Sequence, residues 1–299
     1  MAIQSPPAWI WDRLNSSSRT VGSADENEYW PEHGERSADG EAVEDSGAGL
    51  PVRRIGVGDV MDALIQGHED FRASRTDVIF LCFFYPVMGF VLAWLAFGYQ
   101  FVPLLFPLAS GFALVGPLAA VGLNEMSRRR ELGGEVNWAD AFGVLKSPSI
   151  GAIAMLGTIL GVIFLTWMAQ ANAIYLVTLG PEPPVSLAAF MRDVFYTGAG
   201  WAMIGLGVGV GFLFALLVLS ISVVSFPLLL DRKIGLGTAI RTSVSAIKKN
   251  PGPIAVWGLI VAGGLVLGSV PLFLGLVIVL PVLGHATWHL YRKLIRKPA

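Results

Sequence analysis

Long runs without a charged residue dominate the hydrophobic pattern of this chain. Four runs contain no Asp, Glu, Lys or Arg; they cover residues 78–124, 147–181, 194–230 and 250–291. One bilayer crossing takes about 20 apolar residues. The first and last runs are therefore long enough for two crossings each, and each middle run for one. A helix satisfies its own backbone hydrogen bonds, as lipid requires, so the pattern predicts an all-α polytopic membrane protein with six transmembrane helices.

Turn-prone residues divide the two longest runs. Gly98-Tyr99-Gln100 interrupts the first run, and Gly268-Ser269 interrupts the last. The six spans are therefore predicted near residues 78–98, 103–124, 150–172, 199–225, 253–270 and 272–291.

The distribution of basic residues predicts the orientation of these spans. With six spans, the two termini and two loops share one side of the membrane. That side carries 20 of the 21 Lys and Arg residues, and only Arg192 falls on the other side. The positive-inside rule then places both termini in the cytoplasm.

A short amphipathic segment precedes each odd-numbered span, at residues 59–71, 137–146 and 236–249. Apolar residues three and four positions apart give each segment one apolar face. These stripes are Val60, Leu64 and Phe71; Trp138, Ala141, Phe142 and Leu145; and Leu236, Ile240, Val244 and Ile247. We predict helices that lie in the plane of the membrane interface. The alternative is that they simply extend the spans into the cytoplasm.

The chain also resembles itself. A shift of 164 residues aligns Pro107, Gly111, Pro117 and Arg128 with Pro271, Gly275, Pro281 and Arg292. Each unit then consists of an in-plane helix followed by two spans. Three such units, at 57–128, 137–232 and 236–293, predict a parallel repeat about an axis along the membrane normal.

Composition divides the chain into two parts. Residues 1–50 hold ten acidic and three basic residues, a composition that favours a disordered acidic tail. Residues 51–299 form the predicted six-span membrane domain. Overall, only 14% of residues are charged, against about 25% in soluble domains. The single cysteine, Cys82, excludes an intramolecular disulfide and a zinc site built from several cysteines.

Four polar residues near predicted span ends form a candidate polar cluster. His285 and His289 share a helix face, and the 164-residue shift places Glu125 opposite His289, with Asn124 beside it. Two histidines at this spacing fit two corners of a metal site, but a hydrogen-bonded polar cluster is favoured over both a metal site and separate interfacial residues. For Glu125 the alternative is a local ion pair with Arg128. No metal or other cofactor is predicted.

Asp231 closes the fourth span beside Arg232 and Lys233, which favours a similar local pairing. Glycines at small-xxx-small spacing predict close helix packing, within the chain or between two copies. They are Gly157, Gly161, Gly205, Gly207, Gly209, Gly211, Gly264 and Gly268. Prolines within the spans predict kinks. They are Pro107, Pro117, Pro227, Pro271 and Pro281.

Several strings in the membrane part resemble a bacterial family of predicted integral membrane proteins, catalogued as domain of unknown function 2189. They are SGFALVGPLAAVGLNEMSRR (110–129), SISVVSFPLLLDR (220–232), KKNPGP (248–253) and LPVLGHATWHLYRKLI (280–295). The resemblance covers roughly residues 53–295 and implies a multi-pass protein of the bacterial inner membrane with no established activity.

Few ionisable residues lie near the middle of the predicted spans, which favours a non-catalytic accessory, assembly or scaffold protein. A carrier of small molecules or lipids is the alternative, and an enzyme acting on lipid at the interface is the third hypothesis. The predicted partners are the lipid bilayer and either another membrane protein or a second copy. The sequence has no patch typical of nucleic-acid binding.

Overall fold

The computed structural model describes residues 49–73, 103, 105–134, 136–271 and 274–296. Regular structure in these ranges is helical, apart from one isolated bridge between Val52 and Ile295. The helices are α1 Val57–Ala73, α2 Leu105–Ala119, α3 Val121–Glu131, a 3-10 helix Trp138–Lys146, α4 Ile150–Thr178, α5 Leu187–Tyr196, α6 Gly198–Ser222, α7 Ser225–Asp231, α8 Leu236–Lys249, α9 Pro251–Ser269 and α10 Leu276–Leu294.

Three segments of the described chain are long and apolar enough to cross a membrane: α4, the α6–α7 segment Gly198–Asp231, and α9. They coincide with the third, fourth and fifth predicted spans. The second and sixth predicted spans are helical in α2–α3 and α10. The first predicted span, Cys82 and residues 1–48 of the tail lie outside the described residues.

The helix α2 packs closely against α4. The indole Nε1 of Trp167 donates a hydrogen bond to the carbonyl of Pro107, over 2.9 Å. A Cβ atom on Gly111 would lie 2.7 Å from the ring of Phe164, and one on Gly157 would lie 2.9 Å from Leu118. Glycine therefore lets these two helices approach, as the small-residue spacing predicts for Gly157.

The predicted packing glycines fall into two groups. Side chains or backbone crowd the position of an added Cβ at Gly157, Gly211, Gly264 and Gly268. An added Cβ would meet open space at Gly161, Gly205, Gly207 and Gly209. The second group therefore makes no close contact with the part of the chain that the structure describes.

The prolines predicted to kink the spans lie at different positions relative to the helices. Pro117 and Pro281 lie inside α2 and α10. Pro107 lies in the first turn of α2, and Pro227 lies in the short α7, just after the turn that separates α7 from α6. Pro271 follows the end of α9.

Each predicted amphipathic segment forms a short helix that packs on a longer one. The helix α1 lies against α10, where a Cβ on Gly67 would come 2.5 Å from the backbone nitrogen of Ala286. The 3-10 helix lies against α3 where Gly122 meets Ala141. The helix α8 meets the α6–α7 junction. These contacts bring the ends of α3, α7 and α10 close to the short helices.

The helix α5 is absent from the sequence-based prediction, in which its residues fall between the third and fourth spans. It has only ten residues, and Arg192 and Asp193 break its apolar pattern. Ser186 begins the helix, because its side chain accepts a hydrogen bond from the backbone of Ala189.

Candidate functional site: a buried charged cluster

Polar side chains from α1, α3 and α10 form the first part of the site. His289 Nε2 lies 2.8 Å from Asp70 Oδ2, and the hydroxyl of Ser127 donates to the same oxygen over 2.6 Å. The Ser127 hydroxyl also lies 2.8 Å from Nδ1 of His285. Arg130 approaches the other Asp70 oxygen at 3.3 Å. A continuous hydrogen-bonded chain therefore joins the two histidines, which the sequence places on one helix face.

The charge of Asp70 follows from these contacts. Burial raises the pKa of Asp70, but hydrogen bonds from His289 and Ser127 outweigh it, so its pKa is lowered from the ordinary value. An ionised Asp70 accepts hydrogen bonds from both neighbours, Ser127 and His289. The Ser127 oxygen then accepts from Nδ1 of His285. Nε2 of His285 has no hydrogen-bond partner among the described residues.

The lowered pKa of Asp70 makes the stability of the protein depend on pH in the acid range. Because its pKa is lowered on folding, Asp70 stabilises the protein fully above its unfolded pKa of about 3.9. This contribution is lost as pH falls through the lower, folded pKa. In Asp70→Asn we expect lower thermal stability near neutral pH and a difference from wild type that shrinks as pH falls below about 4.

Thermal unfolding in detergent across this pH range measures the effect. Glu69→Gln, at the exposed neighbouring residue, is the control and should follow wild type. A difference between Asp70→Asn and wild type that stays constant with pH would contradict the assignment.

Glu125 is the centre of the second part. It is fully buried, and it accepts hydrogen bonds from Arg128 Nε at 2.7 Å, Arg128 Nη2 at 3.1 Å and Arg129 Nε at 2.7 Å. Arg129 also contacts Asp140 of the 3-10 helix at 2.7 Å. Gly143 makes this possible, because a Cβ there would collide with the Arg129 guanidinium. The ion pair between Glu125 and Arg128 is the local alternative that the sequence suggests.

Asp231 is the centre of the third part. Arg292 donates to both of its oxygens, at 2.8 Å each, and the Tyr291 hydroxyl donates to one of them at 2.5 Å. Arg292 Nε also reaches Glu131 at 2.9 Å, which in turn accepts from the indole of Trp288 at 2.9 Å. The guanidinium lies 4.6 Å from the centre of the Trp288 ring, within the range of a cation–π contact. The principal partner of Asp231 is therefore remote in sequence, although Arg232 also lies 3.8 Å away.

The four residues of the predicted cluster lie on α3 and α10 but have different partners. His285 and His289 are linked through Ser127 and Asp70, whereas Glu125 pairs with arginines of its own helix. Asn124 is buried, and its Oδ1 has no partner in the described part of the chain. Among the residues that the structure describes, no three His, Cys, Asp or Glu side chains are grouped to hold a metal ion.

Sequence reasoning missed several residues of the site, and Asp70 is the most informative. The spacing of Val60, Ala63, Gly67 and Asp70 places this acid on the buried face of α1. An acid on an apolar helix face is a signal for a buried partner. The sequence held no comparable signal for a buried partner of Arg292, because this residue follows the end of the predicted sixth span together with other basic residues.

Comparison with known proteins agrees with the membrane class that these helices indicate. Residues 104–231 match the model of a family described as predicted integral membrane protein (DUF2189). The resemblance predicted from the sequence is confirmed over this segment; the strings at 248–253 and 280–295 lie outside it. Comparison with curated proteins and with solved structures gives no match. The chain is thus an integral membrane protein with apolar membrane helices.

Proposed function

We propose that the protein is a non-catalytic accessory, assembly or scaffold protein of the membrane. The observation that carries this proposal is the mutual pairing of buried and half-buried charged groups at the helix ends. The pairs lie within one helix at Glu125–Arg128 and between helices at Arg129–Asp140 and Asp231–Arg292. Both oxygens of Glu125 and both oxygens of Asp231 accept hydrogen bonds from arginine. Groups saturated in this way fix the relative positions of helix ends. They suit a rigid platform better than a site that must bind and release a substrate.

The acidic residues 1–50 supply a contact to a partner protein in this proposal. Their ten acidic residues suit a basic surface, and Trp9 and Trp11 add apolar anchors. Because charge steers association and aromatic residues provide binding energy, both features contribute. The partner is therefore expected at the side of the membrane that holds the N-terminus.

Affinity purification of the full chain from native membranes tests this function. We expect a stoichiometric protein partner that is lost from the double variant Trp9→Ala/Trp11→Ala, while the variant stays in the membrane at the wild-type level. A protein that purifies alone with a bound small molecule, and moves that molecule across reconstituted vesicles, would contradict the proposal and favour a carrier.

We further propose six spans, with both termini in the cytoplasm of a bacterial cell and the chain in its inner membrane. Support comes from three apolar helices at predicted spans and from helices at two more. The separation of 20 basic residues from Arg192, which an odd number of spans would destroy, also supports this arrangement. The charged cluster described above then lies at the cytoplasmic helix ends.

Reporter fusions test this orientation. We expect a periplasmic signal from a fusion at Pro183, in the segment that carries Arg192, and cytoplasmic signals from fusions at Gly133, Gly235 and the C-terminus. Alkaline phosphatase and green fluorescent protein fusions measure the two sides independently. A cytoplasmic signal at Pro183 would overturn the six-span arrangement.

The proposal of three parallel repeats gains support from the order of helix packing. In this scheme α1 begins the first unit, the 3-10 helix begins the second and α8 begins the third. The 3-10 helix packs on the end of the first unit, α8 packs on the end of the second, and α1 packs on the end of the third. A closed cyclic order of this kind is what three units around one axis produce.

The in-plane position of the short helices is part of the same proposal. Bulky residues of the 3-10 helix remain exposed: Trp138, Phe142 and Leu145. The helix α8 instead buries its small residues, Thr238, Ala239, Thr242, Ser243 and Ala246, against the protein. Such faces suit helices that pack on the protein on one side and contact the lipid interface on the other.

A further inference from the structure

The helix α5 carries an apolar stripe that is exposed among the described residues. Leu187, Met191 and Phe195 are four residues apart and therefore lie on one face. Their exposed fractions are 53%, 45% and 46%, whereas Val194 on the inner side is buried. Exposed apolar stripes of this kind indicate a contact surface.

A sharp corner joins α5 to the membrane helix α6. Thr197 has an extended backbone that ends α5, and its hydroxyl accepts a hydrogen bond from Gly200 in the first turn of α6. A Cβ on Gly200 would lie 2.2 Å from the carbonyl oxygen of Val194. The end of α5 therefore packs against the first turn of α6 and does not continue along its axis.

The stripe lies between two helix ends that are apolar and exposed. Val177 in the last turn of α4 and Trp201 in the first turn of α6 are 77% and 61% exposed, and both helices are apolar enough to span the membrane. The helix α5 connects these two ends. A bilayer that covers Val177 and Trp201 thus ends at the level of α5.

We propose that α5 is an interfacial helix that lies on the bilayer surface, with Leu187, Met191 and Phe195 inserted between the headgroups and the acyl chains. Tyr196 at its end is an aromatic residue of the type enriched at this depth. Arg192, whose side chain is exposed, can extend its guanidinium toward lipid phosphates while its stem stays in the interface. The inference requires only that α4 and α6 span the membrane, so it is independent of the number of spans and of the scaffold function.

Spin labelling of the full chain in vesicles tests this position. In a background without the native thiol, Cys82→Ser or Cys82→Ala, one cysteine is introduced as Met191→Cys or Phe195→Cys and carries a nitroxide. Glu182→Cys, in the exposed loop before α5, is the matched control. Each variant is reconstituted into vesicles of phosphatidylcholine and phosphatidylglycerol, and collision with oxygen and with a water-soluble nickel chelate is measured.

At positions 191 and 195 we expect an oxygen-to-nickel accessibility ratio several-fold higher than at position 182, because oxygen concentrates in lipid. Equal ratios at the three positions would place the stripe in water and overturn the proposal. A third outcome is low accessibility to both oxygen and the nickel chelate that increases when the protein is diluted with lipid. This result would overturn the proposal and indicate that the stripe contacts a second copy of the chain.

Discussion

Replacing Glu125 with alanine is expected to lower the free energy of unfolding by about 3–5 kcal/mol, the usual effect of breaking a buried ion pair from one side. Glu125 is fully buried, and its carboxylate accepts hydrogen bonds from two arginines, one of which is also buried. Its removal leaves positive charge in a poorly solvated environment with fewer acceptors. Reversible unfolding in mixed detergent micelles, followed by circular dichroism, measures the change.

Glu182→Ala is the control for this prediction, because Glu182 lies in an exposed loop. It should change the free energy of unfolding by no more than about 0.5 kcal/mol. Glu125→Gln retains the shape of the side chain and one acceptor oxygen, so an intermediate loss is expected. If Glu125→Ala unfolds like wild type, the cluster does not hold the helix ends together.

The pattern of charge predicted where the long helices lie because lipid imposes a strong and simple constraint. Every charge-free run within the described residues is helical over most of its length. The ends of the helices were less predictable. The third span was expected to end near residue 172, but α4 continues to Thr178, because apolar residues follow and the first helix breaker is Gly180, with φ of 93°.

The partners of the charged groups were not predictable by the same reasoning. The pairing of Glu125 with Arg128 was predictable because the two residues lie within one helical turn. Contacts such as Asp231 with Arg292 depend on how distant helices pack, and no local spacing encodes them. The 164-residue shift placed Glu125 and His289 at equivalent positions, but Asp70 of α1 contacts His289. Equivalence between repeats predicts similar depth, not contact.

The buried face of α8 shows a related difficulty. The sequence pattern predicted that the large residues of α8 form its apolar face. In the structure these residues are only half-buried: Leu236, Ile240, Val244 and Ile247. The face that packs on the protein is instead formed by small residues such as Ala239 and Thr242. Small side chains let helix backbones approach closely, so hydrophobicity alone does not identify the packed face of a membrane-associated helix.

The second large effect is expected at Gly67, where α1 crosses α10. The helix α1 supplies Asp70, so the contact between these helices holds part of the charged cluster. A Cβ on Gly67 would lie 2.5 Å from the backbone nitrogen of Ala286 and 2.6 Å from its Cα. Backbone atoms cannot move aside as a flexible side chain does, so the two helices must separate. We expect Gly67→Ala to lower the free energy of unfolding by about 1–3 kcal/mol, the usual effect of overpacking.

Gly58 provides a control on the same helix, because an added Cβ there would meet no described residue within 4 Å. Without a clash, Gly58→Ala should instead stabilise α1 by up to about 1 kcal/mol, since alanine loses less conformational freedom in a helix. The two substitutions are chemically identical and should change stability in opposite directions in the same unfolding assay.

Separation of α1 from α10 should also weaken the Asp70–His289 contact, so Gly67→Ala should reduce the pH-dependent part of stability that Asp70 contributes. Equal effects at the two glycines would mean that α1 does not pack against α10 as the structure has it.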